Sequence, residues 1–462
     1  MRKLLIPMIL FSTAALSAQL PPASQYEVPD LNKAQIRQAD ILPYLEQVKQ
    51  NPLFDTEQIG SSYQGRPIYR ISVGEGPVTV LMWSQMHGDE STATPALFDL
   101  INRIGKDKDW RESWEDRLTL HMIPMLNPDG AELAQRHNVQ SIDINRDAKD
   151  LQTPEGRILM EQAKTLKPDF GFNLHDQSRF YSAGPVPKTA TISLLAPAYD
   201  EQKSINSIRQ RAMQLIGVMK KVGDQLIPEQ MGRYDDTYAH RAFGDTLSGM
   251  DISTILIESG SYPGDVNRQA ARRVNLAMLE RSLESIASKS YLAMDLGPYH
   301  DIPMNEREAF RDVIIQDLQI EDAHQYRLDI ALDLDLPEAR LAKIKDVGDL
   351  SPFYPFFEFD ASDWQYQTGK AWQLDSALKL TDERYLELLR QGYSHFAGEP
   401  ELLDSQTGFP VLINEQNAPT ERPQRNQPAV FFMQHKDGRK IAVINGLLIE
   451  LESGTLLNSY NT

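Results

Sequence analysis

Val78-Thr79-Val80-Leu81-Met82-Trp83-Ser84-Gln85-Met86 is a mostly apolar run that ends on His87-Gly88-Asp89-Glu90. A run of this length, β-branched at its start and free of Gly and Pro, reads as a buried strand. A strand ending on a His and a Glu three residues apart aims two metal-capable side chains at one point beyond the sheet edge. H-x-x-E alone arises by chance in chains of this length and reads equally as an ordinary helix start. Its company decides the matter. A second apolar run, Leu118 to Leu126, ends in Asn127-Pro128-Asp129-Gly130; a third, Asp169 to Leu174, ends on His175; the most β-branched, Ile252 to Ile257, ends on Glu258. In open α/β sheets ligands bind outside the carboxyl ends of the strands. Strand ends bearing His87, His175 and Glu258 therefore point to one shared site.

Between these runs the pattern alternates as in a doubly wound domain. Helical spacing is predicted over Ser91 to Ile104, Pro154 to Leu166, Tyr199 to Leu226 and Val266 to Lys289, and Tyr63 to Ile68 reads as a turn between two strands. The apolar run Thr191 to Ala196 falls in a loop of this pattern. The expected fold is α/β, a mixed, mostly parallel doubly wound sheet with flanking helices over 63–292, preceded by an extension over 19–62. Beyond Leu296 the character changes. Val313 to Ile320, Tyr326 to Leu334, Ala429 to Met433 and Lys440 to Leu451 are β-type runs, with a helix at Thr381 to Tyr393 and a polar loop at Asn414 to Pro428. The segment 297–462 reads as a smaller mixed α+β domain whose role the pattern does not reveal.

The 462 residues are 41% hydrophobic, enough for a sizeable core. Arg2-Lys3, the apolar stretch Leu4 to Leu16 and Ser17-Ala18-Gln19 form an n-region, an h-region and a small-residue cleavage point, so 1–18 reads as a signal peptide. Export to the periplasm or the medium is the expected fate. No later stretch approaches a membrane span. Cysteine is absent, which leaves neither disulfides nor the lipid-bearing cysteine of a bacterial lipoprotein. The net charge of -18 makes nucleic acid an unsuitable partner.

Catalytic zinc takes three protein ligands, commonly two His and a carboxylate, and keeps a position open for water. His87, Glu90 and His175 supply that set. Peptide hydrolysis also needs a base that takes the water proton and delivers it to the leaving amine. Glu258, at the end of an apolar strand, suits that role; the plain alternative is that it caps the Ser259-Gly260 turn. Arg136 and Arg146 lie in the loop after Asn127-Pro128-Asp129-Gly130, where a guanidinium can stabilise an oxyanion or grip a carboxylate. Asn145 can donate to the same carboxylate.

The ordered set H-G-D-E, N-P-D-G, a downstream Arg, D-I-N-R, a lone His after an apolar strand and a Glu ending the last strand resembles the zinc carboxypeptidases of the carboxypeptidase A type, over Tyr63 to Lys289. The resemblance implies one zinc held by His87, Glu90 and His175, Glu258 as general base and Arg136 as oxyanion stabiliser. It implies Asn145 and Arg146 as the pair binding the terminal carboxylate of a peptide substrate, and Asp143 as the aspartate orienting the first ligand His. The family's mobile tyrosine falls in Tyr234-Asp235-Asp236-Thr237-Tyr238, with Tyr238 preferred. The chain departs from the family pattern at Asp176-Gln177, where many members carry a small residue. No residue that reads the substrate side chain stands out, and Arg179, Phe243 and Asp251 remain unranked. A cell-wall peptide amidase or carboxypeptidase and a deacylase of amino-acid conjugates fit the same fold; N-P-D-G and D-I-N-R favour the peptidase. A non-catalytic binding protein would have lost a ligand or the base, and all are present.

Overall fold

The computed structural model describes residues 20–334, 341–414 and 420–458, so the leader read at 1–18 lies outside the described residues. The first half of the chain builds eight strands: β1 (Asp55–Ser61), β2 (Pro67–Val73), β3 (Val78–Ser84), β4 (Leu118–Ile123), β5 (Phe170–Asp176), β6 (Ile192–Leu195), β7 (Met231–Arg233) and β8 (Ser253–Ser259). They form one sheet in the order β1-β2-β4-β3-β5-β8-β6-β7. The centre, β4-β3-β5-β8, is parallel, while β1-β2, β2-β4 and β8-β6 pair antiparallel. Thr191 to Ala196, expected in a loop, thus contains a strand; four residues set antiparallel against β8 are too short to show a period.

Central parallel strands are covered on both faces, which explains their near-continuous apolar runs. Along β3, Val80 and Met82 enter one core while Leu81 and Trp83 enter the other. Helices Gln38–Gln50, Ala93–Lys106, Ser207–Leu226 and Gln269–Ser288 pack on the first face; Pro154–Leu166 and Phe243–Ser248 cover the second. The stretch 20–62 is part of this body rather than an appendage, since Val28, Leu31, Ile36 and Ile41 are buried in the first core and β1 extends the sheet. After β3 the chain moves to β4 on one side and then to β5 on the other. Such a reversal opens a crevice at the carboxyl ends of β3 and β5, where His87 and His175 emerge.

The C-terminal part is a second sheet with its own core. Strands Lys343–Gly348, Gln325–Asp333, Phe310–Glu321, Trp364–Gln367, Val430–His435, Lys440–Ile444 and Leu447–Glu450 lie in that order, and Tyr354–Asp360 pairs parallel to Phe310–Glu321. The run expected as one strand at Lys440 to Leu451 is a hairpin. Asn445 and Gly446 both have positive φ, at 51° and 79°, as a two-residue hairpin turn requires. Alternate side chains of Val430–His435 fall in two clusters, Phe431 and Met433 on one face, Val430 and Phe432 on the other, under the helix Asp382–Arg390.

The two parts are joined just beyond His175. Arg179 forks onto the fully buried Asp312 and donates to the Leu334 carbonyl at 2.9 Å. Phe310 donates its backbone N–H to the Phe180 carbonyl at 3.2 Å and stacks on Phe356 at 4.8 Å. Ser182 pairs with Glu306 as an antiparallel bridge. Nearby, Asp333 has one oxygen 3.6 Å from the Lys345 ammonium and the other buried without a hydrogen-bond partner among the described residues. Burial pushes its carboxyl up to about 6. The folded chain therefore holds a proton there that the unfolded chain releases near pH 4, and the stability linked to Asp333 falls as pH rises from about 4 through 6. Asp333→Asn is expected to raise stability at pH 7.5 by on the order of 1 kcal/mol and to change it little at pH 4, read from denaturant unfolding at both pH values.

Candidate active site

The loop after β3 is set by a close fit between two of the sequence motifs. A Cβ on Gly88 would lie 2.0 Å from the carbonyl carbon of Gly130, so only glycine lets the His87 loop and the Asn127-Pro128-Asp129-Gly130 turn touch. Asn127 caps that turn by accepting from the Gly130 N–H at 2.9 Å and donates to the Met86 carbonyl at 3.2 Å. Buried Asp129 accepts from Ser62 Oγ and the Gln64 N–H, both at 2.8 Å, and pairs with Arg66 at 2.6 Å. Beneath, the Gln85 amide reaches the carbonyls of Ile36 and Gly88 at 2.7 and 3.0 Å. The N-P-D-G turn is a buttress for the loop and contributes no group to the cavity.

His87, Glu90 and His175 are buried together, with one ligand-capable atom of each within 4.8 Å of the others. Glu90 Oε1 lies 2.7 Å from His87 Nδ1, and its Oε2 lies 2.6 Å from His175 Nδ1. Asp143 Oδ1 takes the Nε2 side of His87 at 3.0 Å, so the neutral ring presents a lone pair at Nδ1. The same oxygen accepts from the Asn145 N–H at 2.8 Å, so one carboxylate orients His87 and caps the turn Ile144–Arg146. Ligands about 2 Å from a tetrahedral ion stand roughly 3.3 Å apart. The two Nδ1 atoms are 3.2 Å apart, and the donor set of two imidazoles and a carboxylate fits zinc.

Burial opposes charge on Glu90, but the two imidazoles outweigh it and hold its carboxyl well below the usual range. Glu258 has the opposite fate. In register it stands opposite His175 on the neighbouring strand. Burial first, then the charges of Glu90 and Asp176, push its carboxyl well above the ordinary glutamate value. Asp176 is itself pushed up to about 6, chiefly by burial; it accepts from the Thr92 N–H and hydroxyl and leaves one oxygen without a partner. The environment thus separates the ionised Glu90 from the more readily protonated Glu258.

A cavity of about 590 Å³ opens over this cluster, and Glu258, Arg136, Asn145 and Arg146 all face it. Arg136 is anchored through Nε on Asp143 at 3.1 Å and through one terminal nitrogen on Glu90 at 3.0 Å. Asn145 accepts from the Phe243 N–H at 2.9 Å, which turns its amide N–H groups to the cavity beside Arg146. Tyr238, the tyrosine preferred from sequence, is not on the cavity wall; Tyr234 is, because it follows directly on β7, where its N–H donates to the Leu194 carbonyl at 3.0 Å. Its hydroxyl lies 3.2 Å from that of Tyr181, and burial, then the charge of Glu258, raises its pKa.

None of the three unranked residues lines the cavity. Arg179 is committed to Asp312, Phe243 is fully buried in the second core, and Asp251 sits exposed in a positive-φ turn. Their neighbour Asp245 does face the cavity, pushed up to about 6 by burial. Two arginines missed from sequence, Arg268 and Arg307, also line it. Neither lies in a motif, and only the packing of the two sheets reveals Arg307.

Residues 41–213 match the family described as zinc carboxypeptidase, peptidase M14. Carboxypeptidase SOL1 of Arabidopsis thaliana is 26% identical over 176 residues, covering 31% of this chain and 35% of that protein. Carboxypeptidase M of Mus musculus is 28% identical over 162 residues, covering 29% and 36%. The chain thus spans little more than a third of the length of these relatives. Among solved structures, a metallo-carboxypeptidase from Burkholderia cenocepacia superposes with a TM-score of 0.46 at 17% identity, covering 56% of this chain and 71% of that one. The family match takes in His87, Glu90, Asp143 and His175 and stops short of Glu258, whose place is given by its pairing with β5. Over residues 41–213, the chain is thus similar to the zinc carboxypeptidase family, peptidase M14.

Proposed function

We propose that this chain is a zinc-dependent metallocarboxypeptidase that hydrolyses the C-terminal peptide bond of peptides, with one zinc per chain and Glu258 as general base. One observation carries the reading: a single cavity joins the cation-ready trio, a carboxyl that retains its proton affinity, and an amide and guanidinium side by side. Zinc held by His87, Glu90 and His175 would supply the acidification of water and the polarisation of the scissile carbonyl.

The chain's own groups do the rest. Glu258 takes the proton of the attacking water and hands it to the leaving nitrogen, a task that favours a carboxyl titrating closer to neutrality than an exposed one. Arg136, anchored by Asp143 and Glu90, faces the oxyanion that develops on the carbonyl oxygen. Asn145 and Arg146 hold the terminal carboxylate, which sets the scissile bond one residue from the chain end. Tyr234 is the tyrosine available to hydrogen-bond the substrate from the cavity wall. Export belongs to the proposal, on the strength of Arg2-Lys3 and the apolar stretch Leu4 to Leu16.

Peptides ending in a free carboxylate are expected to lose one residue, while the same peptides amidated at the C-terminus are expected to be cleaved at least about 100-fold more slowly. Arg146→Ala is expected to erase most of that difference, by slowing the free acid. Mass spectrometry of timed digests reads both, and equal cleavage of free and amidated ends by the unaltered protein would overturn the carboxypeptidase reading. Glu258→Gln is expected to lower kcat by about 10²–10⁴ while zinc content by elemental analysis stays near one per chain. Near-full turnover in that variant would falsify the role of the base.

A further inference from the structure

The cavity wall is completed by a residue from outside the zinc carboxypeptidase-like sheet. Arg307 lies in the segment between the helix Gly297–His300 and the strand Phe310–Glu321, the first strand of the C-terminal sheet, yet it lines the cavity over His87, Glu90 and His175. The segment is fastened there on both sides. Asn305 donates to Gln177 Oε1 at 3.1 Å and to Ser193 Oγ at 3.2 Å. Glu306 exchanges backbone hydrogen bonds with Ser182 at 3.1 and 3.2 Å. The buried fork of Arg179 on Asp312 then ties the next strand to the same loop.

The four arginines on the cavity wall are not equivalent. Arg136 is engaged with Glu90 and Asp143. Arg268 donates to the carbonyls of Gln177 and Ser259 at 3.1 and 2.8 Å and stands 3.7 Å from Asp176. Arg146 donates to its neighbouring Asn145 carbonyl, beside the amide that shares its proposed carboxylate. Arg307 is exposed, and among the described residues its guanidinium has neither a hydrogen-bond nor an ion-pair partner. A cation fixed on a cavity wall without a protein partner is free to pair with an anionic group of whatever enters.

The walls indicate which part of a substrate that is. Asn145 and Arg146 are tied to the helix Phe243–Ser248 through the Phe243 N–H, whereas Arg307 is tied to the loop following His175 through Gln177 and Ser182. A peptide with its terminal carboxylate on the first wall and its scissile carbonyl at the His87-Glu90-His175 cluster carries its remaining residues toward the second. The geometry points to Arg307 as a specificity residue that pairs with a carboxylate side chain on the acyl side of the scissile bond, so that the C-terminal domain selects acidic peptides. This inference rests on the carboxypeptidase reading above. Asp89 and Asp235 also face the cavity, so without Arg307 the approach turns more acidic and disfavours that substrate in particular.

The test compares N-acylated peptides that differ only in Glu against Gln at the first or second position on the acyl side of the bond. The unaltered protein is expected to prefer Glu at one of these positions by about three- to tenfold in kcat/KM, mostly through KM, with the preference shrinking in high salt. Arg307→Ala is expected to remove the preference by lowering kcat/KM for the Glu peptides several-fold more than for the Gln peptides, Arg307→Glu to reverse it, and Arg307→Lys to restore part of it. Because the side chain is exposed, all three variants should keep the thermal midpoint of the parent. No Glu preference in the unaltered protein, or one that survives Arg307→Ala and Arg307→Glu, would overturn the inference while leaving the carboxypeptidase reading intact. Failure to cleave any of the peptides would instead count against that reading.

Discussion

Parallel strands paired in register bring the residues at their carboxyl ends to one level, and the site depends on this constraint. β5 and β8 pair from Phe170 and Ser253 to Asp176 and Ser259, which sets His175 directly opposite Glu258. β3 pairs with β5 on the other side and releases its chain into the His87 loop at the point where the strand order reverses. A slip of one residue between β5 and β8 would turn Glu258 into the core and an apolar neighbour into the cavity. Fully buried strands, with Val80 and Met82 filling one core and Leu81 and Trp83 the other, leave no tolerance for such a slip.

On that frame, neighbours rather than residue type divide the labour among carboxylates. Glu90 lies between two imidazoles and stays ionised; Glu258, at the end of β8, has burial and two acidic neighbours against it and binds a proton more readily. Asp143 serves two elements through one oxygen, His87 and the turn carrying Asn145 and Arg146. The trio that could hold a metal and the pair proposed to bind a carboxylate are therefore mechanically linked. Under the proposed function, a peptide end gripped at Arg146 would have its scissile bond placed relative to His87 by a single side chain.

Most of this site was legible in the sequence because each of its parts is local. A buried parallel strand is an apolar run, and the residue at or just beyond its end faces the crevice, so the gathering of His87, His175 and Glu258 could be read from position alone. Asn127-Pro128-Asp129-Gly130 was visible as a turn, but its purpose, the glycine contact with Gly88, is a tertiary fact. Tyr234 and Tyr238 are four residues apart in a polar stretch with no period, and only the hydrogen bond to Leu194 decides which faces the cavity. Arg307 left no local trace. It reaches the cavity wall through the docking of a second sheet, fixed by Arg179 on Asp312 and by the aromatic stack of Phe310 on Phe356.

The central claim is that the strand ends of β3 and β5 form a zinc centre. Anomalous diffraction at the zinc absorption edge, from crystals of protein purified without chelator and supplied with zinc, tests it most directly. The expected result is one strong peak, about 2.0–2.2 Å from Nδ1 of His87, Nδ1 of His175 and a Glu90 oxygen. A zinc peak elsewhere, or a cluster that stays empty in saturating zinc, would contradict it.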